Sequence, residues 1–337
     1  MKEKLMMDIT KVDHASETGG FSAGNNKKTE QNRAKNALKK KRLCFVWGML
    51  ALPILQFLVF NVYVNIGTVK MSFQHVSYAT GTIERFTFQN YKRFFYELFR
   101  FSEIAGAMKN SLYAGLNNAL ILLPLSLIFG YLFYKKVPGT PVFRVIFFIP
   151  SIISIVVYTM VYKYMFNSSF GPVNALLRSF GVAEENMPLW LGSKKFAMPL
   201  VLLYADWVGI GYELLILGGA IAKIPEDVME YAKIDGVGMF KELFVLIVPM
   251  IWPTFSIMLL GCITVMFTFF IQVQLLTEGG PDGSTVTIAY MINSKIKGVG
   301  ANLEWASCLG LCFTLIAIPL IVVAKKLLAK VSNAFGY

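Results

Sequence analysis

Six long, predominantly apolar runs divide the chain, and shorter charged stretches separate them. A helix needs about 20 mostly apolar residues to cross the hydrocarbon core of a membrane. Each run therefore predicts one membrane-spanning helix, and together they predict an all-α integral membrane protein with six transmembrane helices. Prolines lie inside these runs, which membrane helices tolerate because neighbours satisfy the freed carbonyls. The runs cover residues 43–65, 110–134, 145–162, 196–222, 249–277 and 305–324.

Positive charge is distributed unevenly along this pattern. Residues 1–42 are polar and carry eleven Lys or Arg residues, so we expect a disordered basic tail that stays in the cytoplasm. Nucleic-acid binding by the tail is the weaker alternative. If the N-terminus is cytoplasmic, 20 of the 32 Lys and Arg residues lie on that side. The positive-inside rule then predicts that both termini are cytoplasmic.

Residues 225–253 form a charged, amphipathic segment between two apolar runs. Pro225 suits the first position of a helix, and Gly236 suits its C-terminal cap. After Gly236 a second helical pattern places Phe240, Leu243 and Phe244 on one apolar face. The topology puts this face in the cytoplasm, where no lipid covers it. We therefore predict two short helices whose exposed apolar face binds a partner.

The segment 84–109 mixes aromatic residues with Arg and Lys on the predicted external side. A helix at the membrane surface, with aromatic side chains at headgroup depth, is the favoured interpretation. A contact site for an external partner is the alternative.

Several polar residues interrupt the apolar runs. Buried acids in a span usually face a bundle interior or a watery path, and polar side chains spaced by four share a helix face. Lining of a pathway for a hydrophilic solute and hydrogen bonding between helices both remain open. The candidates are Asp206, Glu213, Thr264, Thr268, Gln272 and Asn117.

The motifs of several enzyme classes are absent from the sequence. The chain has no G-x-x-x-x-G-K-[ST] loop and therefore cannot bind ATP in the P-loop manner. It also has no G-x-S-x-G nucleophile motif and no His, Cys or carboxylate cluster spaced for a metal. We expect no enzyme activity, no metal site and no cofactor bound by this chain.

The segment 225–253 resembles the EAA signature of permease subunits of bacterial ATP-binding-cassette (ABC) importers. Glu230-Tyr231-Ala232, Asp235-Gly236 and Leu246-x-Val248-Pro249 match it without a gap. Tyr231, Val237, Leu246 and Val248 depart from the usual residues but keep apolar character.

Flanking motifs resemble the sugar-importing branch of that family, including the larger maltose and the glycerol-phosphate permeases. These motifs occur in the family's order and extend the resemblance over about residues 84–328. They are Asn110-Ser111-Leu112, Phe143-Arg144 with Pro150, Gly171-Pro172-Val173-Asn174, and Leu276-Thr277-Glu278-Gly279-Gly280-Pro281.

The resemblance implies the type I ABC importer permease fold in the bacterial cell membrane. It implies a second permease subunit, an ATPase dimer that binds ATP and Mg²⁺, and an extracellular solute-binding protein that delivers a carbohydrate. The implied organisation is a tail at 1–42, a first helix and external segment at 43–109, and a core at 110–330 with the coupling loop at 223–249. The implied ATPase-coupling residues are Glu230, Tyr231, Ala232, Asp235, Gly236, Phe240, Leu243 and Pro249.

Two alternatives to a sugar-importer permease remain. One is an ion-coupled secondary carrier that uses Asp206 and Glu213, although the sequence has no clear internal repeat of the kind such carriers often show. The other is an ABC importer permease for a solute that is not a sugar, because other importers carry the same EAA loop.

Overall fold

A computed structural model describes residues 38–76, 83–84, 86–100, 103–297 and 301–334 of the chain. These residues are mostly helical. The strands β1 (His75–Val76) and β2 (Ile83–Glu84) pair in antiparallel fashion and form one short ladder. The coarse prediction of an all-helical membrane protein is confirmed for this part of the chain.

The first helix, α1, extends over Leu38–Ser72 and is long and apolar enough to cross a membrane. Residues 38–68 belong to a unit separate from the rest of the chain, and all but a few of their side chains are exposed. Residues 1–37 of the predicted basic tail lie outside the described residues. Helix α1 begins at Leu38, so its first turns lie within the last residues of the predicted tail.

The second unit, from Val69 onward, contains the remaining helices. Three of them are long apolar helices, and the others are shorter. In chain order they are α2 (Gln89–Leu98), α3 (Glu103–Tyr134), α4 (Thr140–Ile152), α5 (Ile155–Met165), α6 (Pro172–Ser179), α7 (Ala197–Ile221), α8 (Glu226–Ile234), α9 (Met239–Met250), α10 (Trp252–Thr268), α11 (Ile271–Leu276), α12 (Ile288–Ile296) and α13 (Leu303–Ala334).

Four described helices, α1, α3, α7 and α13, qualify individually as membrane spans. The third and fifth apolar runs, each predicted as one span, contain breaks in the helix. The third run bends by 109° between α4 and α5, where Ile153 and Ser154 adopt extended backbone conformations. Helices α9 and α10 meet at an angle of 86° at Ile251, near the start of the fifth run and next to Pro253 in the first turn of α10. The fifth run is also interrupted between Thr268 and Ile271. If each bent pair is one span, the described residues hold six.

Helix α7 lies at the centre of the packing and contacts both the C-terminal half of α3 and α4. Gly211 permits the approach of α4, since a Cβ atom there would lie 2.7 Å from the carbonyl oxygen of Phe147 and 2.8 Å from Oγ of Ser151. A buried cluster that includes Leu127, Leu217 and Ile247 joins α3, α7 and α9.

The aromatic-rich segment contributes α2 to the packing. Phe94 is buried and meets Phe313 of α13 edge to face, with ring centroids 5.5 Å apart. The guanidinium of Arg93 lies 4.4 Å from the ring centroid of Trp305. The opposite side of α2 exposes Phe95. Helix α2 is therefore amphipathic, and its buried side packs on the protein.

Candidate functional site

The segment 225–253 folds into two helices as its capping residues dictate. Pro225 precedes α8, and Glu226 and Asp227 occupy the first turn, where a helix N-terminus favours negative charge. The helix ends before Gly236, which adopts φ +66°. Only glycine enters this left-handed region without steric cost, so the prediction of a glycine cap is confirmed.

The outer surface of this segment is apolar and aromatic. Ile234 is 79% exposed, Phe240 75% and Tyr231 69%, and Phe244 is exposed beside them. We call Tyr231, Ile234, Phe240 and Phe244 the coupling surface. The carboxylate-bearing residues Glu230 and Asp235 are also exposed. Large apolar side chains and charged side chains are thus exposed close together in sequence along this segment.

Leu243 does not belong to this surface, although the sequence pattern placed it there. Its side chain is 3% exposed and packs in the cluster with Leu127, Leu217 and Ile247. A π-helical turn at Glu242–Ile247 changes the helical period, so residues that share a face at 3.6 residues per turn are separated. Leu243, together with Ala232 on α8, therefore anchors the segment, while Pro249 lies partly buried in the last turn of α9.

A cavity of about 900 Å³ lies between α3, α7 and the loop around residues 283–284. Asn117 and Asp206 line it together, and Nδ2 of Asn117 donates a hydrogen bond of 2.7 Å to Oδ1 of Asp206. Tyr113, Lys109 and Lys195 line other parts of the same cavity. The cavity therefore offers carboxylate, amide, ammonium and aromatic groups on a largely apolar wall.

Glu213 is separated from this cavity, although it was predicted together with Asp206. It is 9% exposed and is not among the lining residues. Its polar neighbours are Ser126 and Asn118 of α3. Glu213 is thus buried near α3, whereas Asp206 and Asn117 line the cavity.

The predicted polar stripe of Thr264, Thr268 and Gln272 is not continuous. Helix α10 ends at Thr268, Phe269 is extended, and Gln272 belongs to α11. The hydroxyls of Thr264 and Thr268 donate to the carbonyl oxygens of Leu260 and Thr264 in their own helix. Their donor capacity is therefore used within α10.

Two motif residues of α3 hold the loop at residues 284–288 by hydrogen bonds. Nδ2 of Asn110 donates to the carbonyl oxygens of Ser284 and Val286, at 2.9 and 2.8 Å. Oγ of Ser111 accepts a hydrogen bond of 2.9 Å from the backbone N–H of Ile288. The start of α3 is thus attached to a loop more than 170 residues later, which sequence reasoning did not foresee.

Tyr290 makes a further contact with the segment that precedes this loop. Its hydroxyl donates a hydrogen bond of 2.6 Å to the carbonyl oxygen of Glu278. Burial, and then the nearby Glu278 carboxylate, raise the pKa of Tyr290, so it remains a donor at neutral pH. Among the described residues no three His, Cys, Asp or Glu side chains are grouped as a metal site would require.

Residues 122–334, more than half of the chain, match the family described as the binding-protein-dependent transport system inner membrane component. Two curated relatives are similar over shorter lengths. The maltose/maltodextrin transport system permease protein MalF of Shigella flexneri is 29% identical over 160 residues, which are 47% of this chain and 30% of MalF. The probable ABC transporter permease protein YurN of Bacillus subtilis is 32% identical over 142 residues, 42% of this chain and 48% of YurN. The matches thus span less than half of either relative.

Two solved structures share the fold. One is a bacterial ABC transporter involved in the import of the acidic polysaccharide alginate, with a TM-score of 0.74 and 20% identity over 87% of this chain and 97% of the matched chain. The other is a bacterial alginate ABC transporter in complex with an alginate pentasaccharide-bound periplasmic protein, also with a TM-score of 0.74 and 20% identity, over 87% and 96%. At this identity the likeness establishes the fold alone.

Proposed function

Because the chain belongs to the family of binding-protein-dependent transport system inner membrane components, we propose that it is the permease subunit of an ATP-driven carbohydrate importer. It forms half of the membrane pathway, and a second, related permease forms the other half. The core occupies residues 110–330, preceded by a first helix and external segment at 43–109.

The proposed topology counts each bent helix pair as one span, which gives six. Both termini are then cytoplasmic, on the side that holds most Lys and Arg residues. The cavity between α3 and α7 opens toward the external side, and the coupling surface faces the cytoplasm. The protein is accordingly a multi-pass component of the bacterial cell membrane.

The coupling surface is the observation that carries the proposal. Its aromatic and apolar side chains stand exposed on a short helix pair between membrane spans, while Leu243 and Ile247 fix the opposite side to the core. An exposed apolar patch beyond the membrane marks a protein contact. We assign this contact to the ATPase dimer, which binds ATP and Mg²⁺ and drives the spans between two arrangements.

The cavity supports a hydrophilic cargo. Carboxylate and amide groups hydrogen-bond hydroxyl groups, and Tyr113 offers a ring face on which a sugar can stack. We therefore assign Asp206 and Asn117 to the pathway. The carbohydrate class is supported by the relatives, since MalF is a maltose/maltodextrin permease and the structural neighbours import alginate. An extracellular binding protein would deliver the solute, as in the complex of the alginate transporter.

Reconstitution tests this assignment. The chain would be purified from native membranes with the subunits that accompany it and placed in liposomes, with ATP and Mg²⁺ at the coupling side and the binding protein opposite. We expect uptake of an oligosaccharide that requires ATP hydrolysis and is blocked by vanadate. Uptake driven by an ion gradient without ATP would instead support the secondary-carrier alternative.

A further inference from the structure

A buried ion pair lies behind the coupling surface, between α3 and α9. Nζ of Lys135, the residue that follows α3, lies 2.5 Å from Oε1 of Glu242. Glu242 is the first residue of the π-helical turn, directly before the anchoring residue Leu243. The pair thus connects the end of a membrane-spanning helix to the helix that carries Phe240 and Phe244.

Glu242 is buried and Lys135 is half-buried. The side chain of Glu242 is 5% exposed and that of Lys135 21%. Nζ of Lys135 also lies 5.5 Å from the ring centroid of Tyr131, one turn earlier in α3, and Tyr131 is 1% exposed. Such a pair adds little net stability compared with apolar packing, but removing one partner leaves an uncompensated buried charge. Its main physical effect is therefore to penalise any arrangement in which α9 and α3 separate.

Helix α3 connects this pair to the cavity. It is continuous from Glu103 to Tyr134 and includes Asn117, the cavity residue bonded to Asp206. At about 1.5 Å per residue, roughly 27 Å of helix separates Asn117 from Lys135. A displacement of α9 is therefore transmitted to Asn117 through one continuous helix, provided that the ion pair stays closed.

We propose that Lys135 and Glu242 are positioning residues that clamp α9 to α3, so that movement of the coupling surface moves the cavity wall. The inference rests on the proposed function. It goes beyond the EAA resemblance, because Lys135 lies outside the segment 225–253 and Glu242 is not one of the signature residues.

Charge exchange tests the clamp in the complete reconstituted transporter. The variants are Lys135→Glu, Glu242→Lys and the double exchange, with Lys136→Glu as the control on an adjacent exposed lysine. The readouts are ATPase binding and solute molecules transported per ATP hydrolysed. We expect each single exchange to keep ATPase binding and to lower that ratio by about tenfold or more, within the usual range of coupling between sites. The double exchange should restore the ratio to within about threefold of wild type.

Neutral variants separate positioning from folding. Glu242→Gln and Lys135→Met keep most of the side-chain volume. Both variants should insert and bind ATPase, but transport fewer solute molecules per ATP hydrolysed. Unchanged transport per ATP in the single variants would overturn the clamp, and so would a double exchange that recovers thermal stability without coupling. Failure of all variants to insert would also overturn it by making the pair purely structural. If the wild-type chain neither bound an ATPase nor transported with ATP, the proposed function itself would fail.

Discussion

Asn117 and Asp206 lie 89 positions apart in sequence, yet their side chains are joined by a 2.7 Å hydrogen bond on the wall of one cavity. The amide orients one carboxylate oxygen of Asp206 toward α3. A carboxylate has a second oxygen, which in the proposed pathway would accept hydrogen bonds from a hydrophilic solute. The pair thus joins α3 to α7 at the place where the proposed pathway is most polar.

We expect Asp206→Ala to lower carbohydrate uptake by about 10- to 100-fold while ATPase binding is kept. A hydrogen bond to a charged group contributes about 1.5–3 kcal/mol, which corresponds to that range. Uptake of radiolabelled oligosaccharide into proteoliposomes measures the effect. The control is Glu185→Gln, which neutralises an exposed external carboxylate away from the cavity lining. Equal uptake by both variants would remove Asp206 from the pathway.

Phe240 and Leu243 are three residues apart, but their substitution by alanine should affect different properties. The first should weaken ATPase binding and the second should lower stability. Phe240 is 75% exposed, so Phe240→Ala should weaken ATPase binding by about 2 kcal/mol, as loss of an aromatic anchor does, and leave the melting temperature unchanged. Leu243 is 3% exposed, so Leu243→Ala should lower the free energy of unfolding by about 2–5 kcal/mol. Titration of the permease pair with ATPase measures binding, and thermal melting in detergent measures the change in stability. A loss of stability in Phe240→Ala would contradict the exposed position of the Phe240 side chain.

These two residues also mark what the sequence could and could not predict. Charge and apolar periodicity were sufficient for the helix pair, its amphipathic character and the cap at Gly236, because these depend on neighbours along the chain. The burial of Leu243 depends on a π-helical turn, and a pattern read at 3.6 residues per turn cannot reveal it. The six apolar runs were likewise visible, but the bend at residues 153–154 was not, because isoleucine and valine residues continue on both sides of it.

The cavity was the least predictable feature. Asp206 and Glu213 are equivalent by sequence, since both are acids within one apolar run. Only their surroundings in the fold distinguish them. Asp206 lines the cavity, whereas Glu213 lies near Ser126 and Asn118. The attachment of Asn110 to the loop at 284–286 is equally a product of tertiary contact.

Gly211 is required by the close approach of α4 to α7. A methyl group there would overlap the carbonyl oxygen of Phe147, so Gly211→Ala should destabilise the protein by about 1–3 kcal/mol, as overpacking does. Gly219 is in the same helix, and an added Cβ would meet nothing within 4 Å. Gly219→Ala should therefore leave the melting temperature unchanged or raise it slightly. Equal melting temperatures for both variants would contradict the α4–α7 contact.

The last prediction concerns the turn between the two helices of the coupling segment. Gly236 has φ +66°, whereas proline fixes φ near −65°. Gly236→Pro should therefore misplace α9 relative to α8, abolish ATP-driven uptake and leave membrane insertion intact. Gly236→Ala should cost only about 1–2 kcal/mol, the penalty of a left-handed alanine, and keep partial uptake. Gly238 has φ −67° and open space around it, so Gly238→Ala is the matched control and should transport normally. Normal uptake by Gly236→Pro would show that the helix pair transmits no force from the ATPase.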